Sequence, residues 1–367
     1  MHELVEPTKK ALLVFTAKLQ NDKLKILQAD VAQGELKSLV ESIGLEVVGE
    51  ETFKIGKINP ATFIGRGQLE KLATVAKSLA ADVVVFNTQL NPRIQRNLEN
   101  ELSLCVIDRE EVIIQIFADR AQTAEAKLQV ELASLKYSLP RLTRKWTELS
   151  QQRGGVFRSR GAGETKLELS RRVARKRITV LNKKLKTVES VRNNQRKNRL
   201  NSELKTGSIV GYTNSGKSSL LQVLSKQKTG VKNKLFATLD SLTKKVFLPC
   251  GEFVLLTDTV GFVDNLPHDL IDAFKSTLEE TKYSDFLIIL CDASHPAMLE
   301  CLDVTQNVLQ DLNCEEKKQI IFINKTDKTH NAEAVASLKR RYPNSIVGSI
   351  KEKKGIDELL NAVQKFL

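Results

Sequence analysis

The segment Gly211-Tyr212-Thr213-Asn214-Ser215-Gly216-Lys217-Ser218 has the residue types and spacing to hold phosphate. Its glycines let the backbone turn tightly, so that successive N–H groups face one anion. Lys217 then reaches the β- and γ-phosphates, and the Ser218 hydroxyl, with Ser219 beside it, is placed to ligate Mg²⁺. Apolar Ile209-Val210 precedes this loop, and Leu220, Leu221, Val223 and Leu224 follow at helical spacing. That strand-loop-helix context separates the motif from chance matches to the bare pattern.

Two further motifs follow in order. Asp258-Thr259-Val260-Gly261 ends a strand-like run, putting a carboxylate near Mg²⁺ and the Gly261 N–H near the γ-phosphate. Asn324-Lys325-Thr326-Asp327 follows the apolar run Ile320–Ile323. The Asp327 carboxylate is able to accept two hydrogen bonds, from N1–H and the exocyclic amine of guanine. Adenine lacks both donors, and a site built for paired bonds strongly rejects such an analogue. The expected ligands are therefore GTP and GDP.

Other positions speak less sharply. Thr238, in Phe236-Ala237-Thr238-Leu239-Asp240, lies where a switch threonine ligates Mg²⁺, although a solvated surface threonine would look the same. Ser349-Ile350-Lys351 stands where a loop closes over the base. The candidate catalytic set is Lys217, Thr238 and Gly261, and the candidate metal set is Ser218, Thr238 and Asp258. Phe262 occupies the position where many GTPases orient the attacking water with glutamine, so slow unaided hydrolysis is expected. Asn214 is a candidate contact for a monovalent cation such as K⁺.

The net charge of +13 is concentrated in one place. Residues 136–199 contain 20 Lys or Arg and 4 Glu, which leaves the rest of the chain slightly acidic. Most charge runs are solvated helical faces. A block this unbalanced points instead to a polyanion, with RNA the expected partner. No apolar run approaches the ~20 residues of a membrane span. A cytosolic location is the expectation, with association of a fraction with a membrane left open. The 5 cysteines include no CxxC pair and read as reduced, mostly buried thiols.

These residues need elements to position them. Residues 1–120 alternate short apolar runs (Ala11–Phe15, Leu45–Val48, Asp82–Phe86, Leu104–Ile107) with helical patterns, which predicts an α/β domain with a parallel sheet. Residues 121–203 read as a helical linker domain. Leu128, Leu132, Leu135 and Leu139 share one helical face, which Pro140 interrupts, and Ala174, Ile178, Leu181, Leu185 and Val188 form a coiled-coil-like seam. The glycine- and arginine-rich stretch 151–163 forms the tip, with Arg153, Arg158 and Arg160 as candidate RNA contacts. Residues 204–367 read as a doubly wound, Ras-like P-loop domain. Its strands are expected at Ile209–Val210, Val246–Pro249, Phe253–Leu256, Phe286–Leu290, Ile320–Ile323 and Ser345–Val347.

With these motifs in order, the whole chain resembles the HflX family of ribosome-associated GTPases. Arg160-Gly161-Ala162-Gly163-Glu164-Thr165-Lys166-Leu167-Glu168 is similar to that family's RGPGETQLE signature, with Ala162 in place of proline and Lys166 in place of glutamine. Further similarity covers Asn91–Glu99, Val106–Arg109, Lys127–Leu132, Leu139–Leu142, and the P-loop, FATLD and DTVGF segments. The resemblance implies an N-terminal α/β domain, an antiparallel helical linker and a GTPase domain. It also implies binding to the large ribosomal subunit and its rRNA, stimulation of GTP hydrolysis there, and the splitting or rescue of stalled ribosomes. The protein would be monomeric away from the ribosome. Ile350 stands where the family has alanine, and the chain ends one helix later, without the extension of longer members.

Two alternatives remain at this point. One is a GTP-gated RNA-binding or ribosome-assembly factor with little turnover, which Phe262 favours. The other gives the N-terminal domain its own ATP-dependent RNA activity. Gly65-Arg66-Gly67 lacks the lysine and hydroxyl of a P-loop and reads better as a turn entering a helix.

Overall fold

A computed structural model describes residues 8–18, 23–142, 163–200, 204–226, 236, 242–262, 280–328 and 332–366. The chain divides into two compact units, Met1–Asp119 with Leu128–Leu185, and Arg120–Lys127 with Lys186–Leu367.

The first unit is built on four parallel strands: β1 (Lys10–Lys18), β2 (Glu46–Ile55), β3 (Val83–Phe86) and β4 (Cys105–Asp108), in the order β2-β1-β3-β4. Central β1 carries Ala11, Leu12, Leu13 and Val14, all fully buried, as expected of a strand covered on both faces. Helices α1 (Lys23–Ser42), α2 (Arg66–Ser78), α3 (Pro92–Leu102) and α4 (Arg109–Arg120) connect or follow the strands. The Asn91 side chain caps α3 by accepting the Arg93 N–H at 3.0 Å, and Pro92 suits the first turn because it has no N–H to lose. Gly65-Arg66-Gly67 enters α2, where the Gly65 N–H donates to Gln68 Oε1 at 3.1 Å.

Helix α5 (Ala124–Ser138) ends in a 3-10 turn at Leu139–Arg141, where Pro140 interrupts the α-helical pattern. Helix α6 (Gly163–Leu200) packs antiparallel to α5: Arg177 grips Glu131 through two hydrogen bonds, of 2.6 and 2.8 Å, and Arg171 donates to the Leu142 carbonyl. Ala174 and Leu181 are buried in the seam. The tip residues Arg153, Arg158 and Arg160 lie outside the described residues.

A buried polar cluster joins the 3-10 turn to the sheet. The Arg141 guanidinium lies 3.5 Å over the Tyr137 ring. It donates to Gln95 Oε1 at 2.8 Å, the Tyr137 carbonyl at 3.0 Å and the Leu90 carbonyl at 2.8 Å. Tyr137 donates its hydroxyl to Asp108 Oδ1 at 2.9 Å. Burial first, then the Glu111 and Asp108 carboxylates, push the phenol's pKa far up, so it stays a donor.

The second unit has a six-stranded sheet in the order β10-β9-β8-β5-β7-β6. Its strands are β5 (Thr206–Gly211), β6 (Leu242–Phe247), β7 (Phe253–Asp258), β8 (Phe286–Asp292), β9 (Lys318–Asn324) and β10 (Ile346–Val347). All neighbours are parallel except β6, which pairs antiparallel with β7 at the edge. The strand expected at Val246–Pro249 is therefore earlier, at Leu242–Phe247, and Pro249 lies in the turn after it. Exposed Cys250 shares that turn, which corrects the expectation that the cysteines are mostly buried. Helices α7 (Lys217–Ser225), α8 (Met298–Asp311), α9 (Ala332–Arg341) and α10 (Ile356–Gln364) connect or follow these strands. One core holds Leu220, Leu224, Val254, Leu256 and Phe322. The other holds Val210, Phe262, Leu287, Met298 and Leu338. No described helix is long and apolar enough to cross a membrane.

Candidate nucleotide-binding site

Strand β5 ends at Gly211 and α7 starts at Lys217, so the loop between them lies at the carboxyl edge of the sheet. Ligands of open α/β sheets bind at that edge. Gly216 has φ +103, and a Cβ there would stand 2.6 Å from Asn324 Nδ2. Only glycine fits. Asn214 also adopts a left-handed conformation, which asparagine tolerates better than most residues. The Ser215 hydroxyl oxygen is buried without a hydrogen-bond partner among the described residues.

Lys217 is buried, and its ammonium donates to the carbonyls of Gly211 at 3.0 Å and Tyr212 at 2.8 Å. Burial pulls its pKa down to about 8, against the pull of nearby Asp258. An anion arriving here would hold the proton on. Ser218 is half-buried in the first turn of α7, followed by Ser219, and the buried Asp258 carboxylate ends β7. These are oxygen donors of the kind a hard divalent cation takes.

The Asp258–Gly261 segment is tied to the phosphate loop. Thr259 donates its hydroxyl to the Ile209 carbonyl at 2.8 Å, and Val260 is buried. The Phe262 N–H donates to the Gly211 carbonyl at 3.1 Å, and the Thr213 N–H donates to the Phe262 carbonyl at 2.7 Å. A Cβ on Gly261 would stand 3.0 Å from Thr213 Cα and 3.1 Å from Lys217 Nζ, so this glycine permits the close approach. The Phe262 side chain is 1% exposed and belongs to the core beside Val210, Met298 and Leu302. It is turned into the protein rather than toward a reacting water.

Asn324 ends β9 and bridges two loops. Its Nδ2 donates to the Ser215 carbonyl at 2.8 Å, and its Oδ1 accepts the Ile350 N–H at 3.0 Å. Lys325 donates to the Asn214 carbonyl and to Asp292 Oδ2, each at 2.7 Å. Thr326 donates its hydroxyl to the Gly348 carbonyl at 2.9 Å. Ser349 donates to Asp327 Oδ1 at 2.6 Å, and that hydrogen bond holds the exposed Asp327 carboxyl below its usual pKa. Ile350 is buried against the core and 3.5 Å from the Cβ position of Gly216, whereas Lys351 is exposed.

The structure thus brings together residues 211–219, 258–262, 324–327 and 349–351 in one unit. Phe236 is buried, but Ala237, Thr238, Leu239 and Asp240 lie outside the described residues. Sequence reasoning missed Asp292, which anchors Lys325, and Gly348, whose carbonyl receives Thr326. Asp292 ends a strand-like apolar run, the one signal that pointed toward it.

Three family models match the chain in succession. They are described as GTP-binding GTPase N-terminal (residues 30–118), GTP-binding GTPase Middle Region (residues 120–199) and 50S ribosome-binding GTPase (residues 206–325). The chain is 55% identical over 373 residues to GTPase HflX of Treponema denticola, covering 96% of this chain and 95% of that one. It is 43% identical over 367 residues to GTPase HflX of Caldanaerobacter subterraneus subsp. tengcongensis, covering 100% and 82%. It is 36% identical over 368 residues to GTPase HflX of Escherichia coli, covering 100% and 85%. Among solved structures, the SsGBP and GDP complex matches at 25% identity with a TM-score of 0.50, covering 98% of each chain. With the phosphate and guanine motifs assembled at one sheet edge and these relatives matched over most of their length, the chain belongs to the HflX family of GTPases.

Proposed function

We propose that this protein binds the large ribosomal subunit and couples GTP binding and hydrolysis to dissociation or rescue of stalled ribosomes. The observation that carries the nucleotide half is the pairing of Asp327 with Ser349, together with the bridges from Asn324 and Lys325 to the phosphate loop. They prearrange a guanine acceptor and a phosphate cradle as one unit. The ribosomal half rests on the 50S ribosome-binding family model and on the basic segment at residues 136–199.

In this reading Asp327 accepts the guanine donors, and the loop N–H groups with Lys217 hold the phosphates. Ser218, Asp258 and Thr238 would hold Mg²⁺, which neutralises phosphate charge when bound. Gly261 and Thr238 respond to the γ-phosphate, and hydrolysis releases them. Since the Phe262 side chain is committed to the core, a ribosomal contact is assigned the task of positioning the attacking water. The Arg153, Arg158 and Arg160 segment makes RNA contacts. Asn214 contributes to a K⁺ site, so equal turnover in potassium and sodium buffers would remove that assignment. The protein works in the cytosol as a monomer off the ribosome.

GTP turnover with and without purified large subunits tests the proposal. Stimulation of at least about tenfold is expected, with accumulation of free subunits from vacant ribosomes. Unchanged turnover would favour the second reading, a GTP-gated RNA-binding or assembly factor, for which burial of Phe262 is the specific observation. Single-turnover kinetics on the ribosome separate the two.

A further inference from the structure

Beside the phosphate loop lies a nucleophile that the nucleotide reading leaves unused. A cleft there is lined in part by Tyr212, Thr213, Asp292, His295, Met298 and Cys301. The Cys301 Sγ stands 3.5 Å from His295 Nδ1. The same Nδ1 accepts the Ala297 N–H at 3.2 Å. A ring nitrogen that accepts from an N–H carries no proton, so the thiol is the donor in the sulfur contact. The imidazole is thereby placed as a base for this thiol.

The position on the helix adds to this placement. Cys301 sits near the N-terminus of α8, whose N-cap residue Ala297 offers no side-chain cap. Helical side chains lean back toward the N-terminus, where the unfilled N–H groups stabilise negative charge. Among the groups lining the cleft, Asp292 is bound to Lys325 at 2.7 Å, and the Tyr212 ring is 6.0 Å from the His295 ring. Glu300 neighbours Cys301 on the helix. Cys291, which also lines the cleft, is the contrast: burial and then Asp292 push its thiol up to about 12.

We propose that Cys301 and His295 form a thiol–imidazole pair through which a low-molecular-weight disulfide modifies the cleft beside Tyr212 and Thr213. His295 Nδ1 takes the Cys301 proton and gives up the Ala297 hydrogen bond. The thiolate attacks one sulfur of the disulfide, and a new S–S bond forms as the old one breaks. The departing thiolate takes the proton from the imidazolium. Cys301 is oxidised, and half of the disulfide is reduced to a thiol. The adduct occupies space against Tyr212 and Thr213, the residues bridged to Phe262, and so loosens the phosphate loop. This consequence rests on the nucleotide-site reading above.

The test treats the full chain with oxidised glutathione at pH 7 and maps the modified residues by peptide mass spectrometry. Exposed Cys250 is the internal comparison. Although half-buried, Cys301 is expected to react about tenfold faster than Cys250. His295→Gln removes that advantage while the reduced variant still binds GDP. Modified wild type loses about tenfold in GDP affinity, and dithiothreitol restores it. Cys301→Ser binds GDP normally and ignores glutathione. Faster reaction at Cys250, or an unchanged Cys301 rate in His295→Gln, overturns the pair. Unchanged GDP affinity in protein mapped as modified at Cys301 overturns the coupling to the phosphate loop. Reduced wild type that fails to bind GDP would instead count against the nucleotide-site reading.

Discussion

Both units of this protein are built on parallel strands whose carboxyl ends open a place for a ligand, yet they fill it differently. In the second unit the edge is lined by glycines and backbone N–H groups, with Lys217 buried beneath them. In the first unit the end of β4 is plugged by the chain itself. Asp108 receives Tyr137, Arg141 stacks on Tyr137, and Gln95, Leu90, the Tyr137 carbonyl and Asp108 accept from the guanidinium. The location at strand ends is common to both. The difference is whether polar groups are left for a visitor or satisfied from within. A satisfied cluster of this kind joins elements together, which bears against the N-terminal sheet as a second nucleotide site.

The comparison is sharpened most by Arg141→Ala. It leaves Asp108 buried with its charge partner gone, at a cost of about 3–5 kcal/mol in chemical denaturation. GDP affinity of the second unit should stay unchanged, and ATP binding appearing in the first unit would break the contrast. Asp327→Ala comes next. It removes two acceptors for guanine and should weaken GDP binding by about 100-fold or more in a fluorescent-nucleotide titration, with folding unaltered. Phe262→Gln places an amide in the core beside Met298 and Leu302 and should cost about 1–3 kcal/mol. It should not speed unaided hydrolysis, and a faster single-turnover rate would show that position 262 reaches the nucleotide after all. Ser349→Ala should cost about 1 kcal/mol of guanine affinity, through the loss of one positioning hydrogen bond to Asp327.

The smallest effect is a pH dependence. Free Lys217 has its pKa pulled down to about 8 by burial, below the ordinary lysine value of 10.5. Bound phosphate raises it again, so nucleotide binding above pH ~8 takes up a proton and affinity falls as pH rises. For folding the sign is opposite. The unfolded lysine holds its proton up to about 10.5, so the cost of burying the charge is present below pH ~8 and is relieved between the two values. Calorimetry in buffers of different ionisation enthalpy reads the uptake, and no buffer dependence at pH 9 would contradict it.

Much of this was legible in the sequence wherever local chemistry decides the structure. Strands β1, β3, β8 and β9 are buried apolar runs, and the nucleotide motifs announce themselves by residue type. What failed to show had other causes. Strand β2 runs from Glu46 to Ile55, far past the apolar Leu45–Val48, because an edge strand mixes exposed Glu and Lys with apolar residues. Strand β6 was displaced for the same reason, its exposed Lys245 masking the register. Helix α4 carries Val112, Ile113, Ile114, Ile116 and Phe117, all buried, so it lacks the one-sided stripe that marks a helix. The Arg141 cluster joins residues 46 positions apart in sequence and leaves no periodic trace. Asp292 likewise acquires its role only when β8 and β9 set it beside Lys325.

The pair of bonds from Asn324 and Lys325 to the Ser215 and Asn214 carbonyls has a thermodynamic consequence. On the proposed assignment of these residues, base recognition and phosphate capture share a single strut, so neither is an independent equilibrium. A guanosine without phosphates should already quiet the motions of the phosphate loop, and pyrophosphate should raise the affinity for guanosine by the same factor that guanosine raises its own. The nucleotide is then sensed as a whole molecule, with each end reporting on the other.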